Sequence, residues 1–159
     1  MSGFGERFRN AGYEVPKPLI QVNKFKIIEH VVKMFSDDDE FIFICNKDHL
    51  SNNKWGLEKI LRNTCSKFNI LSIEPHKLGP VYAVLKAKHL INPSEPVVVN
   101  YCDFTCYWDW EKFKKKVLEN QYIGAIPAYK GFHPHSLGVT NYAYIRERDQ
   151  IFIDIKEKE

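Results

Sequence analysis

Apolar runs of strand length alternate along most of this chain with longer stretches whose apolar residues recur at helical spacing. The strands are predicted at residues 19–22, 40–45, 69–73, 96–100, 122–129, 141–146 and 150–155. The helices are predicted at residues 25–35, 51–65, 79–91 and 108–118. This alternation predicts an α/β domain with a largely parallel sheet covered on both faces. The last two strands have no helix between them and predict a late antiparallel addition.

The composition is that of an ordinary folded domain. The 159 residues, 44% apolar and 27% charged, fit one domain over residues 1–159. Apolar content of this size offsets the entropy of ordering, so disorder along the whole chain is excluded. A net charge of +3 is too mild to indicate a nucleic-acid partner. No run approaches the roughly 18 apolar residues that span a bilayer, and no signal-peptide pattern is found.

The four cysteines show no Cys-x-x-Cys spacing; they are Cys45, Cys65, Cys102 and Cys106. Most of them stand inside apolar segments, which favours packed, reduced thiols over a zinc site or disulfides. Thiols of this kind predict a cytoplasmic protein, and the lack of a membrane-spanning run predicts no membrane partner.

Two glycines near the start of the chain can turn the backbone tightly around a ligand. Gly3 and Gly5 let bare N–H groups face phosphate oxygens, and Arg7 can fork onto a phosphate. Lys17 stands between two prolines, whose fixed φ stiffens the backbone that carries its ammonium group. The spacing matches neither a dinucleotide fingerprint nor a Walker A loop. On the glycines alone, an ordinary turn is the alternative.

The longer string is more specific than its glycines. Gly3, Gly5 and Arg7, followed by Pro-Lys-Pro-Leu at residues 16–19, resemble the signature of the sugar-phosphate nucleotidyltransferases, also called nucleotide-sugar pyrophosphorylases. The resemblance implies a Rossmann-like three-layer α/β fold, the nucleotide-diphospho-sugar transferase fold, and catalytic roles for Arg7 and Lys17 around the α-phosphate of a nucleoside triphosphate. It also implies a phosphate-wrapping loop made of Ser2, Gly3, Phe4 and Gly5.

A second match to the same family follows the predicted strand at residues 69–73. In the family a loop at this place reads the nucleobase, which implies base contacts from Glu74, Gly79 and Pro80. Thymidylyl and uridylyl members have an amide at the Glu74 position. A carboxylate only accepts hydrogen bonds, so it suits the amine of cytosine or guanine and favours CTP or GTP. Alternatively, Glu74 is a strand-end carboxylate without a ligand.

The third match is a valine-rich strand that ends near a single carboxylate. Open α/β sheets bind their ligands at the carboxyl ends of their strands, and Asp103 follows residues 96–100. It resembles the family aspartate that holds Mg²⁺ against the triphosphate. Magnesium suits that role because it takes few protein carboxylates and keeps several waters. The alternative role for Asp103 is a helix cap.

The last match is the Glu-Lys pair at the end of the chain. In the family, such a pair follows a strand and binds the acceptor. The resemblance therefore implies that Glu157 contacts hydroxyls of a sugar and that Lys158 contacts its phosphate. Outside this context the segment is an ordinary charged tail.

Together the matches imply a Mg²⁺-dependent nucleotidyltransferase. The phosphate of an acceptor, in the first place a sugar 1-phosphate, would attack the α-phosphorus of the triphosphate, and pyrophosphate would leave. The residues around Asp103 are most similar to members that serve bacterial capsule or surface polysaccharide synthesis. The alternatives are a cytidylyltransferase acting on a non-sugar phosphate and a nucleotide-binding domain without turnover.

Family members also have a buried strand before the glycine loop and continue beyond the Glu-Lys pair. The resemblance therefore implies that residues 1–159 are a partial nucleotidyltransferase domain. The first strand and a C-terminal part, with a second metal ligand, are expected to be missing from it.

Overall fold

The computed structural model describes residues 1, 3, 5–132, 137 and 142–157, and of residues 6 and 7 the backbone only. The chain forms two compact units, Met1–Lys112 and Phe113–Glu159. The helices are α1 (Glu6–Asn10), α2 (Ile27–Val32), α3 (Lys47–Ser51), α4 (Leu57–Thr64), α5 (Gly79–Lys86) and α6 (Trp110–Glu119). The strands are β1 (Gln21–Val22), β2 (Phe25–Lys26), β3 (Phe41–Asn46), β4 (Phe68–Ile73), β5 (Ala143–Arg148) and β6 (Ile151–Glu157). Turns of 3-10 helix lie at Lys17–Leu19 and Lys88–Leu90.

A parallel pair of strands, β3 and β4, forms the centre of the first unit. The sequence of β3 begins Phe-Ile-Phe-Ile, which is apolar on both faces, as in strands that are covered on both sides. The two strands pair from Phe41 opposite Phe68 to Asn46 opposite Ile73. Helices α3 and α4 lie between them in the chain and supply the crossover that a parallel connection needs. The strands predicted at residues 40–45 and 69–73 are thus confirmed, and with them the mixed α/β class.

Side chains from α2, α4 and β3 form one buried cluster. Its members are Leu19, Ile28, Val31, Val32, Phe43, Cys45, Leu57 and Leu61. Leu57 and Leu61 stand about one turn apart in α4 and face inward together. Burying a leucine side chain stabilises a fold by about 1.5–3 kcal/mol relative to leaving it exposed. Leu19 joins the same cluster, so the core also holds the 3-10 turn that carries Lys17.

Two predicted helices are shorter than their apolar patterns indicate. The stretch 51–65 is divided between α3 and α4, because Gly56 adopts a φ of +55° just before α4 begins. This left-handed conformation interrupts a helix and costs least at glycine. The stretch 79–91 is α-helical only as far as Lys86 and continues as a 3-10 turn.

The strand predicted at residues 19–22 is confirmed only at Gln21–Val22, and the helix predicted at 25–35 begins with a strand residue pair, so the two form a small hairpin. Strands β1 and β2 pair antiparallel around a turn in which Asn23 has a φ of +57°. Helix α2 begins directly after β2, where the side chain of Glu29 accepts the backbone N–H of Lys26 at 2.7 Å. That bond satisfies an amide that the first turn of a helix leaves unpaired.

The strand predicted at residues 96–100 is wrong: these residues pair with no strand in the described part of the chain. Val97, Val98 and Val99 are about half exposed or more, Val99 at 65%. Valine-rich composition favours extended backbone, but a strand also needs a neighbour that receives its N–H and C=O groups. In the described sheets, β3 pairs only with β4, so residues 96–100 do not add a third strand to this sheet.

The second unit contains most of α6, from Phe113 onward, and an antiparallel hairpin of β5 and β6, which confirms the predicted late addition. Asp149 and Gln150 turn the chain with φ of +53° and +64°, the signs required by a two-residue type I′ turn. The strand predicted at residues 122–129 is wrong, since that segment is exposed and pairs with no described strand. Of the strand predicted at 141–146, residue 141 lies outside the described residues.

The described sheets therefore contain one parallel and two antiparallel pairs, rather than a largely parallel sheet. Three separate two-stranded sheets are found in the described part of the chain. None of its helices combines the length and the apolar character that crossing a bilayer requires.

The cysteines differ sharply in burial, and we expect the exposed thiol to react faster than the buried one. All four are free. Cys45 is fully buried, and burial raises the pKa of its thiol to about 12. Cys106 is exposed, contrary to the prediction of packed thiols, while Cys65 and Cys102 are half-buried.

Iodoacetamide at neutral pH should accordingly alkylate Cys106 first and Cys45 last, because the accessible thiolate is the nucleophile. Peptide mass mapping over a time course measures this order. Early modification of Cys45 in the native protein would contradict the burial described above, and denaturant should abolish the difference between the two sites.

Candidate functional site

Lys17 and Asp103, predicted from separate motifs, form an ion pair in the first unit. The Lys17 ammonium also lies 4.6 Å from the ring centroid of Phe8, close enough for a cation–π contact. The side chains of Lys17 and Asp103 remain 34% and 24% exposed. Both charges are therefore in contact with each other and open to a ligand.

Local sequence explains how Lys17 is held. Pro16 and Pro18 flank it and are buried, and the backbone N–H of Leu19 donates to the carbonyl of Pro16 at 2.8 Å. Proline fixes φ near −65°, which suits the tight 3-10 turn at Lys17–Leu19. The buried side chain of Leu19 then anchors this turn in the core.

The glycine loop is described only in part. Gly5 has a φ of +64°, which glycine adopts without steric cost. Its carbonyl accepts the backbone N–H groups of Phe8 and Arg9 at 3.0 and 3.1 Å and so begins α1. Gly3 has open space around it. The predicted nucleotide-binding residues Ser2 and Phe4, and the side chain of the predicted catalytic Arg7, lie outside the described residues.

The predicted base loop places Glu74 beside a lysine that sequence reasoning missed. Lys47 Nζ donates to Glu74 Oε1 at 2.7 Å, and both side chains are exposed. The hydrogen bond to Glu74 raises the pKa of Lys47. Lys47 opens α3 and Glu74 follows β4, so the parallel pairing brings the two strand ends together. No local motif could have found this contact, because it depends on that pairing.

The end of the base loop begins α5. Gly79 is its first residue, with a φ of +84°, and Pro80 follows where a helix needs no N–H donor. His76 lies inside the loop, and its Nδ1 accepts the backbone N–H of Leu78 at 3.3 Å. Its Nε2 is buried and has no hydrogen-bond partner among the described residues. The position of His76 between Glu74 and Gly79 is the sequence signal that could have marked it.

The alternative role of Asp103 as a helix cap is taken by another residue. Asp109 Oδ1 accepts the backbone N–H of Lys112 at 3.0 Å in the first turn of α6. Asp103 instead faces Lys17, with its oxygens in the vicinity of a positive charge.

The chemistry of Asp103 fits a magnesium ligand. The described residues contain no group of three or more His, Cys, Asp or Glu side chains that could hold a metal ion. Mg²⁺ needs no such group, since it binds through one or two carboxylates together with substrate phosphates and water. Asp103 would hold the ion through its carboxylate, and this role stays a prediction.

On the acceptor side, Glu157 ends β6 in the second unit and pairs with Ala143 in the hairpin register. Lys158 lies outside the described residues. The acceptor role of both residues stays a prediction.

His49 is a buried histidine of α3 that no sequence motif marks. Its Nδ1 has no hydrogen-bond partner among the described residues, and its ring lies edge-on to Trp55 with centroids 5.5 Å apart. Burial lowers the pKa of His49, the positive charges of Arg9 and the N-terminal amine lower it further, and Asp48 opposes them. The folded protein therefore favours neutral His49.

We expect acid to destabilise the protein partly through this residue. Unfolded histidine titrates near pH 6.5, and the folded state takes up that proton less readily. The stabilisation is therefore complete above about pH 6.5 and is lost as the pH falls through the lower folded pKa. Melting temperatures between pH 7.5 and 5.5 should fall less in His49→Gln than in the wild type. His89→Gln, at an exposed position, is the control; equal pH slopes in all three proteins would contradict the prediction.

Comparison with solved structures bears on the fold. No protein-family model matches the chain, and no curated protein matches it. The structure of a nucleoside-diphosphate-sugar pyrophosphorylase from Vibrio cholerae RC9 is similar, with a TM-score of 0.56 and 15% identity. The match covers 100% of this chain and 65% of that one, so this chain spans just under two thirds of its length. At this identity the likeness shows a shared fold.

Proposed function

We propose that this chain catalyses nucleotidyl transfer from a nucleoside triphosphate to a sugar 1-phosphate. The observation that carries the proposal is the Lys17–Asp103 pair, which unites a phosphate-binding cation and a candidate metal ligand from two distant motifs. The Vibrio cholerae pyrophosphorylase, which shares the fold, supports the same reaction class.

In the proposed reaction, a phosphate oxygen of the acceptor forms a bond to the α-phosphorus while the bond to the pyrophosphate oxygen breaks. No covalent enzyme intermediate is needed, so positioning and charge neutralisation do the work. Lys17 contacts the α-phosphate region, together with Arg7. Asp103 would hold the Mg²⁺ ion, which would supply further neutralisation of the phosphate charge.

The ion pair has a consequence for ligand binding. Lys17 and Asp103 neutralise each other in direct contact, while both side chains stay partly exposed. A magnesium–triphosphate complex offers each of them an opposite charge, so both can exchange partners without leaving an isolated charge. Triphosphate and metal are therefore expected to bind together more tightly than either alone.

The base loop supports a choice among nucleotides. The ionised carboxylate of Glu74 can only accept hydrogen bonds, so it suits the exocyclic amine of cytosine or the amine and ring N–H of guanine. We propose CTP or GTP as the nucleotide, Gly79 and Pro80 as its backbone contacts, and Glu157 and Lys158 on the acceptor. We propose further that the enzyme acts in the cytoplasm and that its product serves capsule or surface polysaccharide synthesis.

A panel of triphosphates and acceptors tests this function. Pyrophosphate release is measured with CTP, GTP, UTP, dTTP and ATP against several sugar 1-phosphates and a phosphorylated amino alcohol, with Mg²⁺ and with EDTA. We expect release with a sugar 1-phosphate and CTP or GTP, and none with EDTA. Release with the amino alcohol phosphate alone would indicate a different cytidylyltransferase. Tight triphosphate binding without release from any pair would reject the enzyme and leave a binding domain.

A further inference from the structure

Residues 106–110, which we call the aromatic strap, run from the Asp103 turn to the start of α6. They are fastened to the residues that follow α2. The backbone N–H of Cys106 approaches Met34 Sδ at 3.1 Å, and Trp108 Nε1 donates to the carbonyl oxygen of Met34 at 2.9 Å. Trp110 Nε1 donates to Asp39 Oδ2 at 2.6 Å. Three donors within five residues thus attach to one short segment of the first unit.

Ring contacts reinforce these hydrogen bonds. Phe35 meets Trp108 and Trp110 edge-on, with centroids 5.8 and 5.2 Å apart, and it contacts Phe41 of β3 in the same way at 5.9 Å. Trp108 and Trp110 also lie against each other, 5.2 Å apart. Edge-to-face geometry is the favoured arrangement of aromatic rings. The strap is therefore joined through Phe35 to the central strand pair.

On its other side, the Asp103 turn is held as well. Cys102 packs against the core cluster that contains Cys45. Asn100 Nδ2 donates to the carbonyls of Tyr101 and Phe104 at 2.9 and 3.4 Å and closes the turn. Asp103 stands between this anchor and Cys106, three residues further on. Three residues span at most about 10 Å, so attachment at Cys102 and at Cys106 limits how far the Asp103 carboxylate can move from Lys17.

We propose that the aromatic strap is a positioning element that holds the Asp103 carboxylate at Lys17, with Trp108 as its principal positioning residue. The expected effect on pyrophosphate release rests on the proposed function. The expected effect on the position of Asp103 does not. Trp108 acts through the backbone between residues 103 and 108. If the strap only stabilised the fold, substitutions in it would change neither the Mn²⁺ affinity nor the Mg²⁺ concentration needed for half-maximal pyrophosphate release.

The test uses Trp108→Phe, which keeps an aromatic ring and removes the N–H that Met34 accepts. The matched control is Tyr107→Phe, a neighbouring aromatic side chain that is fully exposed. The first readout is independent of activity: hydrogen exchange of backbone amides in peptides covering residues 101–109, measured by mass spectrometry. Loss of one hydrogen bond should speed exchange there about fivefold in Trp108→Phe, with no change in the control.

The second readout is metal binding. The Mn²⁺ dissociation constant in the presence of triphosphate, measured by electron paramagnetic resonance, should rise about fivefold in Trp108→Phe. The Mg²⁺ concentration that gives half-maximal pyrophosphate release should rise to a similar degree, with the rate at saturating Mg²⁺ within about twofold of wild type. Trp110→Phe, which removes the bond to Asp39, provides a second variant if the first fails to fold.

Unchanged exchange at residues 101–109 would overturn the positioning role. Faster exchange with unchanged Mn²⁺ affinity would also overturn it and leave a merely structural strap. If the wild type binds Mn²⁺ but releases no pyrophosphate from any pair, the proposed function fails, while weaker Mn²⁺ binding in Trp108→Phe still supports the strap. A wild type that binds no Mn²⁺ would reject the role of the strap at a metal site.

Discussion

Lys17→Ala is expected to lower pyrophosphate release by at least about 100-fold, the scale seen when one preorganised donor to a developing charge is removed. The substitution removes the ammonium that pairs with Asp103 and faces the partly exposed side of the site. It also leaves Asp103 without its ion-pair partner. Steady-state assays should show the loss in kcat as well as in kcat/KM, because the contact strengthens as charge develops on the phosphates.

Lys67→Ala is the matched control for this substitution. Lys67 also pairs with an aspartate, Asp38 at 3.4 Å, but on an exposed surface of the first unit. Exposed pairs of this kind contribute about 0–1 kcal/mol, so rate and stability should both stay near wild type. A rate in Lys17→Ala within threefold of that in Lys67→Ala would remove Lys17 from the reaction.

Asp103→Asn complements this pair of variants. It retains the shape of the side chain but loses the negative charge that Mg²⁺ and Lys17 both require. If Asp103 holds the metal, raising the Mg²⁺ concentration should partly restore release in Asp103→Asn and should not restore it in Lys17→Ala. The same Mg²⁺ response in both variants would argue against separate roles.

Leu61→Ala is expected to destabilise the first unit by about 2–5 kcal/mol. Leu61 of α4 is 0% exposed and belongs to the cluster shared by α2, α4 and β3. Shortening it removes apolar contacts and leaves a cavity, which the surrounding side chains fill only in part. Urea denaturation followed by tryptophan fluorescence measures the change, since Trp108 and Trp110 contact Phe35 in the same unit.

Leu78→Ala carries the same chemical change at a side chain that is 68% exposed. Surface substitutions of this kind stay within about 0.5 kcal/mol of wild type. If Leu61→Ala and Leu78→Ala lose the same stability, the packing described for α4 is wrong. Comparing the two variants thus separates the effect of losing buried contacts from the effect of shortening a leucine side chain.

The fold could be predicted where local pattern and tertiary environment agree. The Phe-Ile-Phe-Ile run of β3 indicates a covered strand and is one, and the tight turn at Asp149 indicates the last hairpin. Residues 96–100 show the limit of the same reasoning. Their valines favour extended backbone, yet they pair with no described strand, because a strand depends on a neighbour that its own residues do not specify.

The candidate site divides in the same way. Lys17 and Asp103 could be chosen from short motifs, because those motifs resemble the signature of a known family, and the roles of both residues stay predictions. The contact of Lys47 with Glu74 could not be predicted in this way. It arises only when the pairing of β3 with β4 brings the start of α3 near the end of β4, and neither segment alone specifies that proximity.

The sequence by itself determined the buried character of β3 and the turn of the last hairpin. Both follow from side-chain chemistry and spacing within one segment. The tertiary structure decided which strands found partners, that Lys17 meets Asp103, and that residues 106–110 attach to the segment that follows α2. The reason is that pairing and packing are properties of two segments at once, and only folding brings distant segments within the few ångströms over which such contacts act.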